Sequence, residues 1–315
     1  MTINIGVVMD PIEQVNVKKD TTMAMLWAAA ARGWQLYYLP QSSLWIENGV
    51  PMASMVPLTV SRDHQPWYQC QPAVTQAVDQ LQVVLMRKDP PFDERFLHMT
   101  YLLDAVERSG VLVVNKPQSL RDCNEKLFAT QFPTCCPPHI VSANHGHLMD
   151  FYRAHGDVIF KPLDGMGGSE IFRVKPDDVN VNVIIEVLTH HGKRVVMGQK
   201  YLPEIVDGDK RVLVIDGHPV DFALARIPKS GETRGNLAAG GTARAQPLSA
   251  RDRWIAEQVA PTLQAKGLLF VGLDIIGDYL TEINVTSPTC VREIDAACGT
   301  TIADTLMQAI ADKLV

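Results

Sequence analysis

The sequence predicts an α/β protein in which a parallel-sheet α/β domain leads into a largely antiparallel sheet. Three observations predict it. Over the first 122 residues, short apolar runs alternate with helical stretches, the order that builds a parallel sheet. Beyond residue 157 the strand-like runs are joined by tight turns such as Asp216-Gly217, the mark of antiparallel pairing. The chain has 315 residues, 46% of them hydrophobic and 20% charged, enough for two or three separate cores.

Element by element, Ile3 to Met9 is apolar and β-branched and is broken by Asp10-Pro11, so it reads as a buried strand. Asp20 is an N-cap for a helix over Thr21 to Ala31, a run of strong helix formers stopped at Arg32-Gly33. Trp34 to Leu39 is the next strand. Val83 to Met86 and Val111 to Val114 flank a helix over Glu94 to Arg108. Helix-like Asn124 to Gln131 then leads through a Pro- and Cys-rich stretch to a strand over Asp157 to Lys161. The strands that follow are Val195 to Gln199, Arg211 to Ile215, Val220 to Ile227, Phe270 to Ile276 and Tyr279 to Asn284. Trp45 to Gln71 reads as a loop or a contact surface.

The net charge of -6 comes from acidic and basic residues mixed along the chain, so no basic face exists to hold nucleic acid. No leader-like segment opens the chain and no apolar run reaches membrane-spanning length, which argues for a cytoplasmic protein without a membrane partner. Six cysteines without CxxC spacing argue for free thiols, and the pair Cys135-Cys136 reads as part of a loop, with a redox switch as the other reading. Neither HExxH nor GxSxG occurs.

Three constellations carry chemistry. Lys161-Pro-Leu-Asp-Gly-Met-Gly-Gly-Ser169 ends an apolar strand in a glycine-rich turn, whose backbone N–H groups and lysine suit phosphate oxygens. It lacks the spacing of a P-loop or of GxGxxG, and an ordinary turn has the same composition. In Leu273-Asp-Ile-Ile-Gly-Asp-Tyr-Leu-Thr-Glu-Ile-Asn284, Glu282 and Asn284 share one strand face. Asp274 joins them only if it pairs with Glu282, which calls for an odd loop such as 277–279; a two-residue turn is expected to send it to the wrong side. Three hard oxygen donors on one face suit Mg²⁺, while polar alternation on an exposed sheet reads the same way. Arg211, Arg226 and Arg234 sit in polar, glycine-rich surroundings and fit an anion site.

These strings together resemble the ATP-grasp superfamily, and over nearly the whole chain they resemble its bacterial glutathione synthetases. The resemblance is carried by Met86 to Asp93, Asn115 to Leu127, Lys161 to Gly168, Gly231 to Gly241, Val271 to Asp278 and Thr281 to Thr289. It implies a parallel-sheet α/β domain over 1–122, then an ATP-grasp fold of two α+β subdomains, a small lid subdomain over 123–202 and a C-terminal subdomain over 203–315. It implies that ATP is held by Lys126, Lys161, Gly165, Gly167, Gly168, Ser169, Gln199, Tyr201, Leu202 and Asp209. Asp274, Glu282 and Asn284 would bind Mg²⁺ or Mn²⁺, and Arg211, Arg226, Arg234 and Asn236 would line the reacting phosphate and carboxylate. The implied substrates are γ-glutamylcysteine and glycine, in a homo-oligomer, by resemblance a tetramer. Phe132 to His147 and Thr242 to Gln246 depart from the family pattern. Two readings compete with this one: another ATP-grasp ligase with different substrates, and a nucleotide-binding regulator without turnover.

Overall fold

The structure is a computed structural model that describes residues 2–165, 168–229, 231–232, 235 and 240–315. Gly167, Arg234 and Asn236 therefore lie outside the described residues. The N-terminal sheet holds β1 (Asn4–Met9), β2 (Gln35–Pro40), β3 (Leu44–Glu47), β4 (Val50–Val60), β5 (Tyr68–Cys70), β6 (Val74–Ala77), β7 (Val83–Met86) and β8 (Leu112–Val114). Strands β2, β1, β7 and β8 run parallel, as their apolar sequences require of strands covered on both faces. The stretch from Trp45 to Gln71 corrects the loop expectation: β4, β5 and all but the first residue of β3 fall within it, and they pair antiparallel, with β4 extending the sheet beyond β2. Alternation in Val50 to Val60 buries every second residue over much of its length, which is a strand signal.

Helix α1 (Thr21–Ala31) begins where Asp20 accepts a hydrogen bond from the Met23 N–H at 2.7 Å, and α2 (Glu94–Arg108) where Asp93 accepts from Phe96. Two short helices follow, α3 (Pro117–Asp122) and α4 (Glu125–Ala129), the latter capped by Asn124. A four-stranded antiparallel sheet then comprises β9 (His139–Ser142), β10 (Val158–Pro162), β11 (Phe172–Val174) and β12 (Val196–Lys200), in the order β11-β10-β12-β9. Helices α5 (His145–His155) and α6 (Val181–Leu188) cover it, with Leu148, Tyr152, Phe160 and Ile185 in their shared core.

The third sheet is also antiparallel, ordered β15-β14-β13-β16-β17, from β13 (Asp209–Ile215), β14 (His218–Ile227), β15 (Thr242–Pro247), β16 (Phe270–Ile276) and β17 (Tyr279–Asn284). Of the two regions that depart from the family pattern, the first supplies β9 and the second lies within β15. Both faces of this sheet are covered. Val212 and Val214 join one core with Ile255 and Val259 of α7 (Ala250–Ala265), while Leu213 and Ile215 join another with α8 (Val291–Cys298) and α9 (Ile302–Lys313). That second core also contains α1 and β1, so the C-terminal helices close the N-terminal sheet.

Candidate active site

A cavity of about 320 Å³ lies between the second and third sheets, floored by α4. Cross-strand register builds its charged wall. Arg211 on β13 stands opposite Asp274 on β16, and Asp274 opposite Glu282 on β17, so one row of side chains shares one face. Two residues along, Asp209 stands opposite Arg226 of β14, and Asn284 follows Glu282 on the same side.

The hairpin reaches this register by a route that corrects the odd-loop expectation. Its turn has two residues, Gly277-Asp278, with Ile276 paired to Tyr279. A bulge between the Asp274 and Ile275 pairs leaves Thr281 as the extra residue, so Asp274 still meets Glu282. The Thr281 hydroxyl donates to the Asp274 carbonyl at 3.0 Å and pins the bulge.

The ion pairs are tight and nearly dry, with Arg211, Arg226 and Asp274 each no more than 5% exposed. Arg211 donates to both oxygens of Asp274, at 2.6 and 3.2 Å, and Arg226 lies 2.8 Å from Asp274 Oδ2 and 2.5 Å from Asp209 Oδ2. Burial alone would raise the Asp274 carboxyl, but the two guanidiniums outweigh it and hold the group well below the usual carboxylate range. Asp209 goes the other way: burial, with the charges of Asp274 and Glu282, pushes it up to about 6 against the pull of Arg226. Its Oδ1 is buried with no hydrogen-bond partner among the described residues.

Lys126 and Lys161 face Glu282 at 3.7 and 3.4 Å, and Lys126 also donates to the Gly165 carbonyl at 2.7 Å. Burial lowers the Lys161 ammonium, and the same two lysines hold Glu282 down against the effect of its own burial. The glycine turn enters the wall through Gly165, Gly168 and Ser169. Gln199, Tyr201 and Leu202 line the side formed by β12 and the segment after it, with Ile159 beside them. Gly235 also reaches the cavity and passes so close to the Arg226 carbonyl that a Cβ there would collide with it.

Every expected site residue within the described set therefore borders this one cavity. Gly167, Arg234 and Asn236 carry no structural statement. Cys135 and Cys136 are buried behind the site, outside its lining; burial pushes the Cys136 thiol up to about 12, unlike a reactive thiolate. Among the cavity residues that the sequence reading gave no role is Glu125, within the Asn115 to Leu127 string. Glu125 accepts a hydrogen bond from Thr286 Oγ1 at 3.0 Å and lines the wall beside Lys126. An acid in the first turn of a helix has an ordinary explanation in the helix dipole, which is why it carried no signal.

Residues 3–121 match the family described as prokaryotic glutathione synthetase, N-terminal domain, and residues 125–299 match its ATP-grasp domain. The chain belongs to the prokaryotic glutathione synthetase family. Full-length relatives agree. The glutathione synthetase of Pseudomonas aeruginosa is 60% identical over 314 residues, covering 100% of this chain and 99% of the relative. That of Citrobacter rodentium is 54% identical over 312 residues, covering 99% of each. Among solved structures, the D-cycloserine synthetase DcsG superposes with a TM-score of 0.69 at 14% identity, covering 99% of this chain and 100% of that one. The ATP-grasp ligase PsnB gives 0.65 at 18%, covering 100% of both, so these two share the fold. As a prokaryotic glutathione synthetase the chain is an ATP-dependent ligase. No described helix is long and apolar enough to cross a membrane.

Proposed function

We propose that this cavity joins γ-glutamylcysteine to glycine through an acyl phosphate. The cysteinyl carboxylate attacks the γ-phosphorus of ATP in line, and ADP leaves with the P–O electron pair. The amine of glycine, having lost one proton, attacks the acyl carbon. The C–O bond to phosphate breaks, phosphate leaves with the electron pair, the nitrogen sheds its second proton, and the amide of glutathione remains. The observation that carries this reading is the convergence of Lys126, Lys161, Arg211 and Arg226 on one cavity beside a glycine turn, inside a family of ATP-dependent ligases.

In this reading Lys126 and Lys161 hold the phosphates under Gly165, Gly168 and Ser169, with Gly167 assigned by resemblance. Gln199, Tyr201 and Leu202 border the adenine. Asp209 offers its unpartnered Oδ1 to a donor on the nucleotide. Arg211 and Arg226, with Arg234 and Asn236 by resemblance, surround the reacting groups and offset the charge that develops there.

Among the described residues, five cationic side chains (Lys126, Lys161, Lys200, Arg211, Arg226) and five acidic ones (Asp89, Glu125, Asp209, Asp274, Glu282) line the cavity, so these residues supply no net positive charge for a triphosphate. A divalent cation fits that deficit. Among the described residues no three His, Cys, Asp or Glu side chains form a metal cluster by themselves, which suits an ion shared with phosphate oxygens. Asp274, Glu282 and Asn284 are the hard oxygen donors that would hold Mg²⁺ or Mn²⁺; the Asn284 amide donates its N–H to the Gly272 carbonyl and keeps its oxygen for a ligand. When bound, the ion would neutralise charge on the phosphoryl oxygens.

The reading extends to three units, 1–122, 123–202 and 203–315, supported by one sheet lying within each. It further takes the enzyme as cytoplasmic, without nucleic-acid or membrane partners, supported by the mixed charge of the sequence, and as a homotetramer, supported by the family resemblance.

The test is phosphate release from ATP and Mg²⁺ with γ-glutamylcysteine, with and without glycine, alongside product mass. Glycine-dependent release matched mole for mole by glutathione is expected. No turnover with this pair, but ligation of another acid and amine, overturns the substrates and leaves the ligase fold intact.

A further inference from the structure

The cavity's carboxylates are not equally neutralised. Asp274 is held by two arginines, Asp209 by Arg226, and Glu282 by Lys126 and Lys161. Glu125 makes no ion pair with any described residue, and its neighbour Lys126 turns away toward Gly165 and Glu282. Asp89, another cavity carboxylate, is exposed and solvated, whereas Glu125 is half-buried. Among the described residues Thr286 supplies the one side-chain hydrogen bond it makes, at Oε1, leaving Oε2 for another donor. A carboxylate drawn out of water without a cation is unfavourable unless a ligand brings one.

The ligands of the reaction narrow what that cation is. ATP is anionic. The ammonium of γ-glutamylcysteine is at the far end of that molecule from its reacting carboxylate. Glycine, by contrast, carries its ammonium on the nitrogen that must reach the acyl carbon, next to the phosphoryl groups. Glu125 precedes Lys126, lies within electrostatic reach of Glu282 and is hydrogen-bonded to Thr286, so in the reading above it borders the phosphoryl end of the cavity.

We propose that Glu125 receives the amino group of glycine as its ammonium ion and holds the nitrogen beside the acyl carbon, where loss of one proton to solvent frees the lone pair that attacks. This assignment rests on the acyl-phosphate course proposed above. It makes Glu125 a determinant of acceptor binding, separate from the residues that handle ATP.

The experiment compares the full-length wild type with E125Q and E125D, using glycine or hydroxylamine as the nucleophile. Hydroxylamine is uncharged at neutral pH and traps acyl phosphates as hydroxamates. The Gln side chain keeps an oxygen to accept the Thr286 hydroxyl, so the wall stays in place. The expected result for E125Q is a glycine KM raised about 10- to 100-fold, the loss of one charge-assisted hydrogen bond. KM for ATP and γ-glutamylcysteine should hold, hydroxamate formation should suffer far less, and E125D should recover part of the glycine affinity. Equal losses with both nucleophiles, a shift confined to γ-glutamylcysteine or to the Mg²⁺ requirement, or unchanged glycine kinetics would each overturn the assignment. A wild type that forms no hydroxamate from ATP and γ-glutamylcysteine overturns the reaction course itself.

Discussion

Asp274 carries opposite demands on one carboxylate: it anchors two buried arginines and is a candidate metal ligand. Because its folded pKa lies below the unfolded value near 3.8, its contribution to stability is present above that value and is lost as the pH falls through the folded one. Asp274→Asn should cost about 3–5 kcal/mol at neutral pH, since it leaves two guanidiniums without their charge partner. The gap from wild type should close on acidifying below that unfolded value, as followed by urea denaturation at a series of pH values. A gap independent of pH would mean that Asp274 stabilises by packing alone. Asp209 has the reverse sign. Its pKa is raised to about 6, so any stability it lends is present below 3.8 and lost as the pH rises through 6; at neutral pH its charge works against the fold. A buried charge kept at that cost, with one oxygen unpartnered, points toward ligand binding.

Among the elements, the β16–β17 hairpin shows how a local rule survives in an unexpected form. An odd number of residues must separate Asp274 from Glu282 for both to face the cavity, and the chain meets that condition with a bulged Thr281 instead of a three-residue turn. Strand β12 shows a second constraint. A Cβ on Gly198 would approach Ile140 of β9 and Phe160 of β10 to 2.9 Å, and Phe151 of α5 to 3.3 Å. The sheet and its covering helix close over that position with no room for a side chain. Gly198→Val is expected to destabilise the protein by about 1–3 kcal/mol through overpacking, read as a lower melting temperature. The same melt run with saturating ATP would show whether the neighbouring wall, Gln199 to Leu202, still binds.

Across the whole molecule, the two larger cores do not respect the three sheets. Residues of β1, α1, β13, α8 and α9 share one, and residues of α2, β13, β16 and α7 share the other. Asn115, after β8, ties these parts together: its amide donates to the carbonyls of Phe270 and Val285 and accepts from the Phe270 N–H. Asn115→Ala strands three buried backbone groups, each worth about 1–3 kcal/mol when unpaired. A loss above about 3 kcal/mol in urea unfolding is expected, within a single transition; two separated transitions would mean that the N-terminal sheet folds independently of the rest.

What the sequence by itself determined is local. Helix bounds over Thr21 to Ala31 and Glu94 to Arg108, the cap at Asp20, and the strand bounds of β16 and β17 follow from periodicity, capping chemistry and glycine placement, all of which act within a few residues. The family strings reached further, because long ordered matches name residues without needing their contacts. Other features required the tertiary structure. In Trp45 to Gln71 the alternation of Val50 to Val60 is legible, but the pairing of β4 onto the edge of β2 is not. Glu125 acquires meaning only when α4 packs against β17 and Thr286 comes within 3.0 Å of it across 161 positions of chain. Charge partners are decided the same way: Lys126 lies beside Glu125 in the chain, yet its ammonium goes to Glu282 and Gly165. Such pairings depend on distances set by the packing of whole sheets, and a one-dimensional pattern does not encode them.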